Sequence, residues 1–439
     1  MNSKFSLILA TVLAIAGLIL AVAALRIGLS AKKAAVQASE HDNSLPNVSP
    51  PVDRIANAAE RARMEKYVAE LQSSKKVVKS FPGLSGEIID CVDVYGQPAL
   101  TRPEMKGHQI QFAPSTEPPG ETALEGQKRE PRVPAPDQLY SLTGETCEQK
   151  SVPMTRLTME TLKNFRTLDE FFQKKSDIER PTGGGGSSGN HEYAHAYRNV
   201  ENWGAESVFN VWSPYNEQSS EFSLSQIWVV RGSGGDRETV EGGWQKYRDL
   251  YGDWRAHLFI YFTPDNYGSG GCYNTSCSGF VQIDNTVYLG GGFTNYSSEG
   301  GTQYEFKLMW YKDGTEGHWW LKYQDKWVGY YPRTLFDDNG LRNNGSKVDF
   351  GGEIVNNRTD NRHTRTDMGS GNFPYLGFGS AAYQRRIRYV DTRNFYQRAT
   401  NLNRTVTNDR CYDLSLSTST GDWEEYFYFG GSGYNTSCP

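Results

Sequence analysis

The 439 residues include 46 basic and 51 acidic side chains, 13% aromatics and 45 glycines. A net charge of -5 offers no broad basic surface, which argues against nucleic acid as a partner. A chain this rich in aromatics and glycine is expected to fold around β-structure, in one large domain or two ordinary ones.

Residues 5–25 contain no charge and lie between Lys4 and Arg26. The run is just long enough to span a bilayer, and Ala21-Val22-Ala23 offers a small-residue cleavage signal. A signal peptide or membrane anchor is therefore expected over 1–25, with a linker over 26–51. The protein is expected to be secreted, or held outside the cell by this segment. Its six cysteines form an even set, which in an exported chain reads as disulfides. Sequons stand at Asn274, Asn295, Asn344, Asn357, Asn403 and Asn435.

Residues 52–180 form the next region. Ile55, Ala59, Ala62, Tyr67, Val68 and Leu71 fall near helical spacing and predict a short amphipathic helix. After Ser80 the sequence GEIIDCVDVYGQPAL is of β type, and the Pro- and Glu-rich stretch 114–136 reads as a flexible loop. A second compact piece follows, in which Cys147 is the natural partner for Cys91. The run PTGGGGSSGN over 181–190 is a flexible linker and marks a domain boundary.

Residues 191–439 alternate short apolar and aromatic runs, such as SQIWVV, HLFIYF and HWWLKY, with Gly, Asn, Asp and Ser. This pattern predicts an all-β domain, an antiparallel β-sandwich of two packed sheets, behind a smaller mixed α/β region. His191 and His195 spell H-E-x-x-H, the spacing of a zinc helix. The alternation of Tyr193, His195 and Tyr197 with alanines favours a strand instead, on which the two imidazoles share a face but stand too far apart to chelate. The glycines of RGSGGDR are expected to make a tight turn, since no P-loop ending follows.

Several segments match one family in order and spacing over 65–439. In the C-terminal half they are SQIWVVRGSGGDRETVEGGWQKY, LYGD, GCYNTSCSGFVQ, GGEIVN, RCYD and YFYFGGSGYNTSCP. In the N-terminal part they are KSFPGLSGEIIDCVDVYGQPAL, LTGETC and SVPMTRLT. The sequence resembles the neprosin family of glutamic endopeptidases, with its activation peptide. The resemblance implies catalytic glutamates at Glu241, in TVEGGWQ, and Glu353, in GGEIVN. It also implies Cys272 paired with Cys277 and Cys411 with Cys438, which leaves Cys91 for Cys147, and cleavage after proline. Two departures are Arg248, where the plant pattern usually has Pro, and the second histidine after HEYA.

Peptide hydrolysis needs a base to take a proton from water and an acid to polarise the carbonyl, and two carboxyls can divide those tasks. Held close, one ionises and the other keeps its proton, so the pair is expected to work at acidic pH. Glu241 is assigned to activating water and Glu353 to the acid role, an assignment that spacing leaves reversible. Glycines beside each glutamate would let a substrate backbone approach. Trp244, Trp319, Trp320 and Tyr330 are candidates for gripping an apolar ring. A peptide or protein is the expected substrate, no metal or cofactor is required, and the propeptide is expected to cover the cleft until interface carboxylates are protonated. Residue types alone leave two rivals: a glycoside hydrolase using two carboxylates, and a non-catalytic carbohydrate-binding surface protein.

Overall fold

The computed structural model describes residues 53–119, 133–138, 141, 143–174, 191–358, 360 and 362–439. The apolar run 5–25, the linkers 26–51 and 181–190, and the middle of the Pro- and Glu-rich stretch lie outside these residues. Among the described residues, no helix is long and apolar enough to cross a membrane. Arg54–Pro439 pack as one unit.

The N-terminal part is small and mixed, as expected. Helix α1 (Ala58–Ser73) starts where the Asn57 side chain accepts a hydrogen bond from the Glu60 amide, and it buries Met64 and Leu71 on one stripe. Strands β1 (Val77–Pro82), β2 (Ile88–Asp93) and β3 (Ser151–Thr155) make an antiparallel sheet in that order. Its Asp90 is fully buried and accepts hydrogen bonds from Arg156, Gln72 and Ser80, which satisfies a charge that would otherwise be costly to desolvate. Two short helices follow, α2 (Met159–Leu162) and α3 (Leu168–Phe172).

The remainder is a curled antiparallel β-sandwich. One layer runs β8 (Cys272–Tyr273), β7 (Ala256–Thr263), β6 (Glu238–Tyr247), β5 (Phe222–Arg231), β13 (Gly345–Val355) and β4 (His191–Asn210). The other continues from β4 through β10 (Glu305–Lys312), β11 (Trp319–Tyr323), β12 (Lys326–Tyr331) and β9 (Val281–Gln282). Strand β4 belongs to both, because its first half pairs with β13 and its second half with β10. The changeover falls at Gly204, whose φ is 142° and where a Cβ would meet the Trp310 carbonyl oxygen at 2.0 Å. Only glycine fits there. Strands β14 (Ala382–Asp391), β18 (Glu425–Gly430) and β17 (Asp413–Thr418) extend from the second half of β4, while β15 (Tyr396–Arg398) pairs with β14 and β16 (Asn403–Val406) with the first half of β4.

The core lies between the layers, where Ile227, Val240, Trp244, Leu308, Trp310 and Phe350 are all fully buried. Each large side chain of this kind contributes roughly 1.5–3 kcal/mol by leaving water. The disulfides are Cys91–Cys147, Cys272–Cys277 and Cys411–Cys438, the pairing the resemblance implies. The turn after β5 is tight, with a single 3-10 turn over Gly234–Asp236. Two sequons are closed to modification in this fold: Asn274 is buried with its side-chain oxygen on the Ile260 amide, and Asn344 is buried on the Gly345 carbonyl.

Candidate active site

Strand alternation puts Thr239, Glu241, Gly243 and Gln245 of β6 on the face away from the core, with Asp349, Gly351 and Glu353 of β13 and Leu224, Gln226 and Trp228 of β5. Glu241 lies in the row of Trp228 and Asp349, Glu353 in the row of Leu224, and the row between is Gly243, Gln226 and Gly351. Two glycines in that middle row leave Gln226 as its only side chain among the three, and the glutamates reach toward it from either side. The glycines also answer to packing. A Cβ on Gly243 would meet the Ser225 carbonyl oxygen at 1.9 Å, and one on Gly351 that of Ala194 at 2.4 Å. Gly242 and Gly352 face the core, against Leu308 and Met368 respectively. Strand and core packing account for these glycines.

The two glutamates meet on one cation. The Lys174 ammonium lies 2.6 Å from Glu241 Oε2 and 3.0 Å from Glu353 Oε2, and donates to Gln226 Oε1 at 3.1 Å. All three of its donors are thereby used. Lys174 is 1% exposed, both glutamates 0%. The other carboxylate oxygens are also held. Glu241 Oε1 accepts from Thr239 at 2.7 Å and Tyr267 at 2.8 Å, while Glu353 Oε1 is bonded to His191 Nδ1 at 2.6 Å. Gln226 Nε2 donates to Glu353 Oε2 at 3.1 Å. Burial pushes the Glu353 carboxyl up, but the Lys174 ammonium and the His191 hydrogen bond outweigh it and hold the group below its ordinary range.

Lys174 follows α3, at the end of the N-terminal part. Its backbone is gripped by the same face of the sandwich: the Tyr261 hydroxyl donates to the Phe172 carbonyl at 3.0 Å and accepts from the Lys174 amide at 3.1 Å. The sequence matches the family described as Neprosin over residues 219–432, and that described as Neprosin activation peptide over residues 80–197. The chain belongs to the neprosin family. Its β-sandwich holds the peptidase domain, and the activation-peptide match covers the part before it and runs seven residues into β4. Among solved structures, scytalido-glutamic peptidase with a peptide-based transition-state analogue is 12% identical, covering 56% of this chain and 98% of its own, at a TM-score of 0.30. SCP-B, a member of the Eqolisin family of peptidases in complex with the tripeptide Ala-Ile-His, is 11% identical, covering 55% and 98%, at 0.28. CG-16, a homodimeric agglutinin from chicken liver, is 9% identical, covering 37% and 95%, at 0.20.

The N-terminal part of the chain embraces the sandwich well beyond Lys174. Arg54 pairs with Asp249 at 2.8 Å, Asn164 donates to the Asp249 carbonyl at 2.9 Å, and Tyr67 donates to the Ser276 carbonyl at 2.7 Å. The described ends of the Pro- and Glu-rich stretch are pinned, not loose: Ser115 donates to Asp313 from its amide at 2.7 Å, and the Pro134 carbonyl accepts from the Glu305 amide at 2.9 Å. His108 is bonded through Nε2 to the Tyr330 hydroxyl at 2.6 Å, and His318 stacks on the same ring at 4.8 Å. Burial, then the neighbouring His108, depresses His318 to about 4, and burial lowers His108 also.

The aromatic candidates prove to lie elsewhere. Trp244 and Trp319 are in the sandwich core, their ring nitrogens donating to the Asn210 and Leu341 carbonyls at 2.9 and 2.8 Å. Trp320 and Tyr330 pack in a separate cluster beneath Ala99 and Met105 of the activation peptide. None of the four touches the glutamates by any hydrogen bond, and the core positions follow from strand parity, since Trp244 alternates with Glu241. His191 and His195 do sit on a strand, and each has a carboxylate partner: His195 Nδ1 is bonded to Asp349 at 2.6 Å. Lys174, Gln226, His191, Thr239 and Tyr267 are the site residues that sequence reasoning did not select. Gln226 carried one signal, a polar side chain inside the apolar run SQIWVV.

Proposed function

We propose that this neprosin-family chain is a secreted zymogen which, once Lys174 is withdrawn, hydrolyses peptide bonds at acidic pH with Glu241, Glu353 and a water molecule. The observation that carries the reading is the sharing of one buried ammonium by both glutamates. An ammonium and a water molecule are close in size and both tetrahedral, so Lys174 Nζ stands where a lytic water would sit between two carboxyls. Two carboxylates brought this close without the cation repel, and one takes a proton. The result is the half-protonated pair that general acid–base hydrolysis requires. Export is supported by the apolar run 5–25 and by three disulfides. Cleavage after proline is what the sequence resemblance implies.

The test is a mixed peptide library cut by acid-treated protein from pH 3 to 7, with and without a chelator, every cut being mapped. Chelator-resistant acidic cleavage is expected, concentrated after proline. Absence of peptide cleavage, with release of sugars from a polysaccharide panel, would refute the reading.

A further inference from the structure

The two glutamates are chemically alike but differently surrounded. Glu241 Oε1 is held by two neutral hydroxyls, Thr239 and Tyr267. Glu353 Oε1 is held by an imidazole, His191 Nδ1, at 2.6 Å. His191 itself sits between the rings of Tyr193, stacked at 6.2 Å, and Phe222, edge-on at 5.6 Å, and its side chain is 8% exposed. The charged or titratable groups that face this pair are Lys174 on Glu353 Oε2, Glu241 across Gln226, the Tyr193 ring beside His191, and the Tyr267 and Tyr273 hydroxyls, on which the Glu353 charge acts. On the far side of Glu241, Arg237 acts on the Tyr267 hydroxyl. When the activation peptide leaves, Lys174 goes with it. The activation-peptide match runs on to residue 197, but residues 191–197 are the start of β4 and pair along β13, so His191 stays with the sandwich.

We propose that His191 is a positioning residue that decides which glutamate is the base: as an imidazolium it keeps Glu353 ionised and leaves the shared proton on Glu241. At 2.6 Å the Nδ1–Oε1 contact has the short length of a charge-assisted pair, the form in which an imidazolium meets a carboxylate. A cation hydrogen-bonded to one member of a coupled carboxyl pair stabilises ionisation there, and the other member is then protonated against that charge. The assignment reverses the one made from sequence. Glu353 takes a proton from water as the water oxygen bonds to the scissile carbonyl carbon, and Glu241 gives its proton to the carbonyl oxygen. In the second step the C–N bond breaks as Glu353 passes its proton to the nitrogen, and Glu241 recovers one from the hydroxyl. The pair ends with one proton, as it began, and His191 keeps its own throughout.

This inference deepens the reading of the chain as a two-glutamate peptidase. Its test is the pH profile of kcat/KM for acid-activated H191Q beside the acid-activated parent. The acidic limb, which reports ionisation of the base, is expected to move up by about one unit or more when the cation is lost. A profile superimposable on the parent's, or a uniform loss with the limb unmoved, overturns the proposal. Should H191Q fail to fold, the His191 ring is titrated by NMR in the full-length parent and in E353Q, both after acid activation. The ring is expected to lose its proton at a lower pH in E353Q than in the parent, and an unchanged titration overturns the proposal. A parent that cuts no peptide would instead overturn the peptidase reading itself, so the two failures are distinguishable.

Discussion

Replacing Lys174 by Met removes the ammonium while keeping an unbranched side chain of similar length in the cleft. The parent ammonium makes three polar contacts of 2.6 to 3.1 Å with groups that are themselves buried. Removing one partner of a buried charge pair typically costs about 3–5 kcal/mol, because the remaining charge is left uncompensated. Here two carboxylates are left facing each other, and the cost falls entirely on the state in which the activation peptide is docked. At about 1.4 kcal/mol per decade, the docked state is weakened by about two to three and a half orders of magnitude. The loss is greatest near neutral pH, where both carboxylates would otherwise be ionised. The full-length variant and parent are incubated from pH 3 to 7, and activity on a fluorogenic peptide is read against time. K174M is expected to become active at a higher pH than the parent and without acid pretreatment. Equal latency of the two proteins across the range would refute the reasoning.

Acid release should begin away from the glutamates. Glu353 is held below its ordinary value, so its contribution to docking persists until the pH falls beneath the usual carboxylate range. His108 and His318 are depressed, the latter to about 4, so the neutral pair favours docking above ~6.5 and the preference is lost as the pH falls from there toward 4. H108F is therefore expected to need a lower pH for half-activation, measured by appearance of the mature band. Loss of Cys91–Cys147, which spans 56 residues, should destabilise by about 4 kcal/mol, and loss of Cys272–Cys277, which spans 5, by about 2 kcal/mol, as read from denaturant unfolding of the double-serine variants. W244A, at a fully buried position, should cost about 3–5 kcal/mol in the same assay while the KM of folded material is unchanged.

The β-sandwich was legible because its strands are short apolar runs punctuated by Gly, Asn and Asp, and the helix over Ala58–Ser73 because its apolar spacing survives in a polar background. The pairing of Cys272 with Cys277 and of Cys411 with Cys438, like the two glutamates, was readable only through the family resemblance, since a strand-borne glutamate has no local mark. The Trp244 assignment failed on parity: Glu241 and Trp244 are three residues apart on one strand and must face opposite sides, which the sequence already contained. Lys174 had no such signal. It stands beside Lys175 in a polar stretch, and only the tertiary path of the activation peptide carries it between two residues 67 and 179 positions further on. His191 was visible inside H-E-x-x-H, but the motif suggested a partner on the same strand, while the actual partner comes from β13.

The most direct measurement compares acid-activated parent, E241Q and E353Q on the same peptide at acidic pH, with circular dichroism and thermal unfolding establishing that all three are folded. Glutamine preserves size and hydrogen bonding but cannot pass the proton on. The parent should cleave and both variants should lose at least two orders of magnitude in kcat; either variant cleaving at the parent's rate would contradict the two-glutamate account.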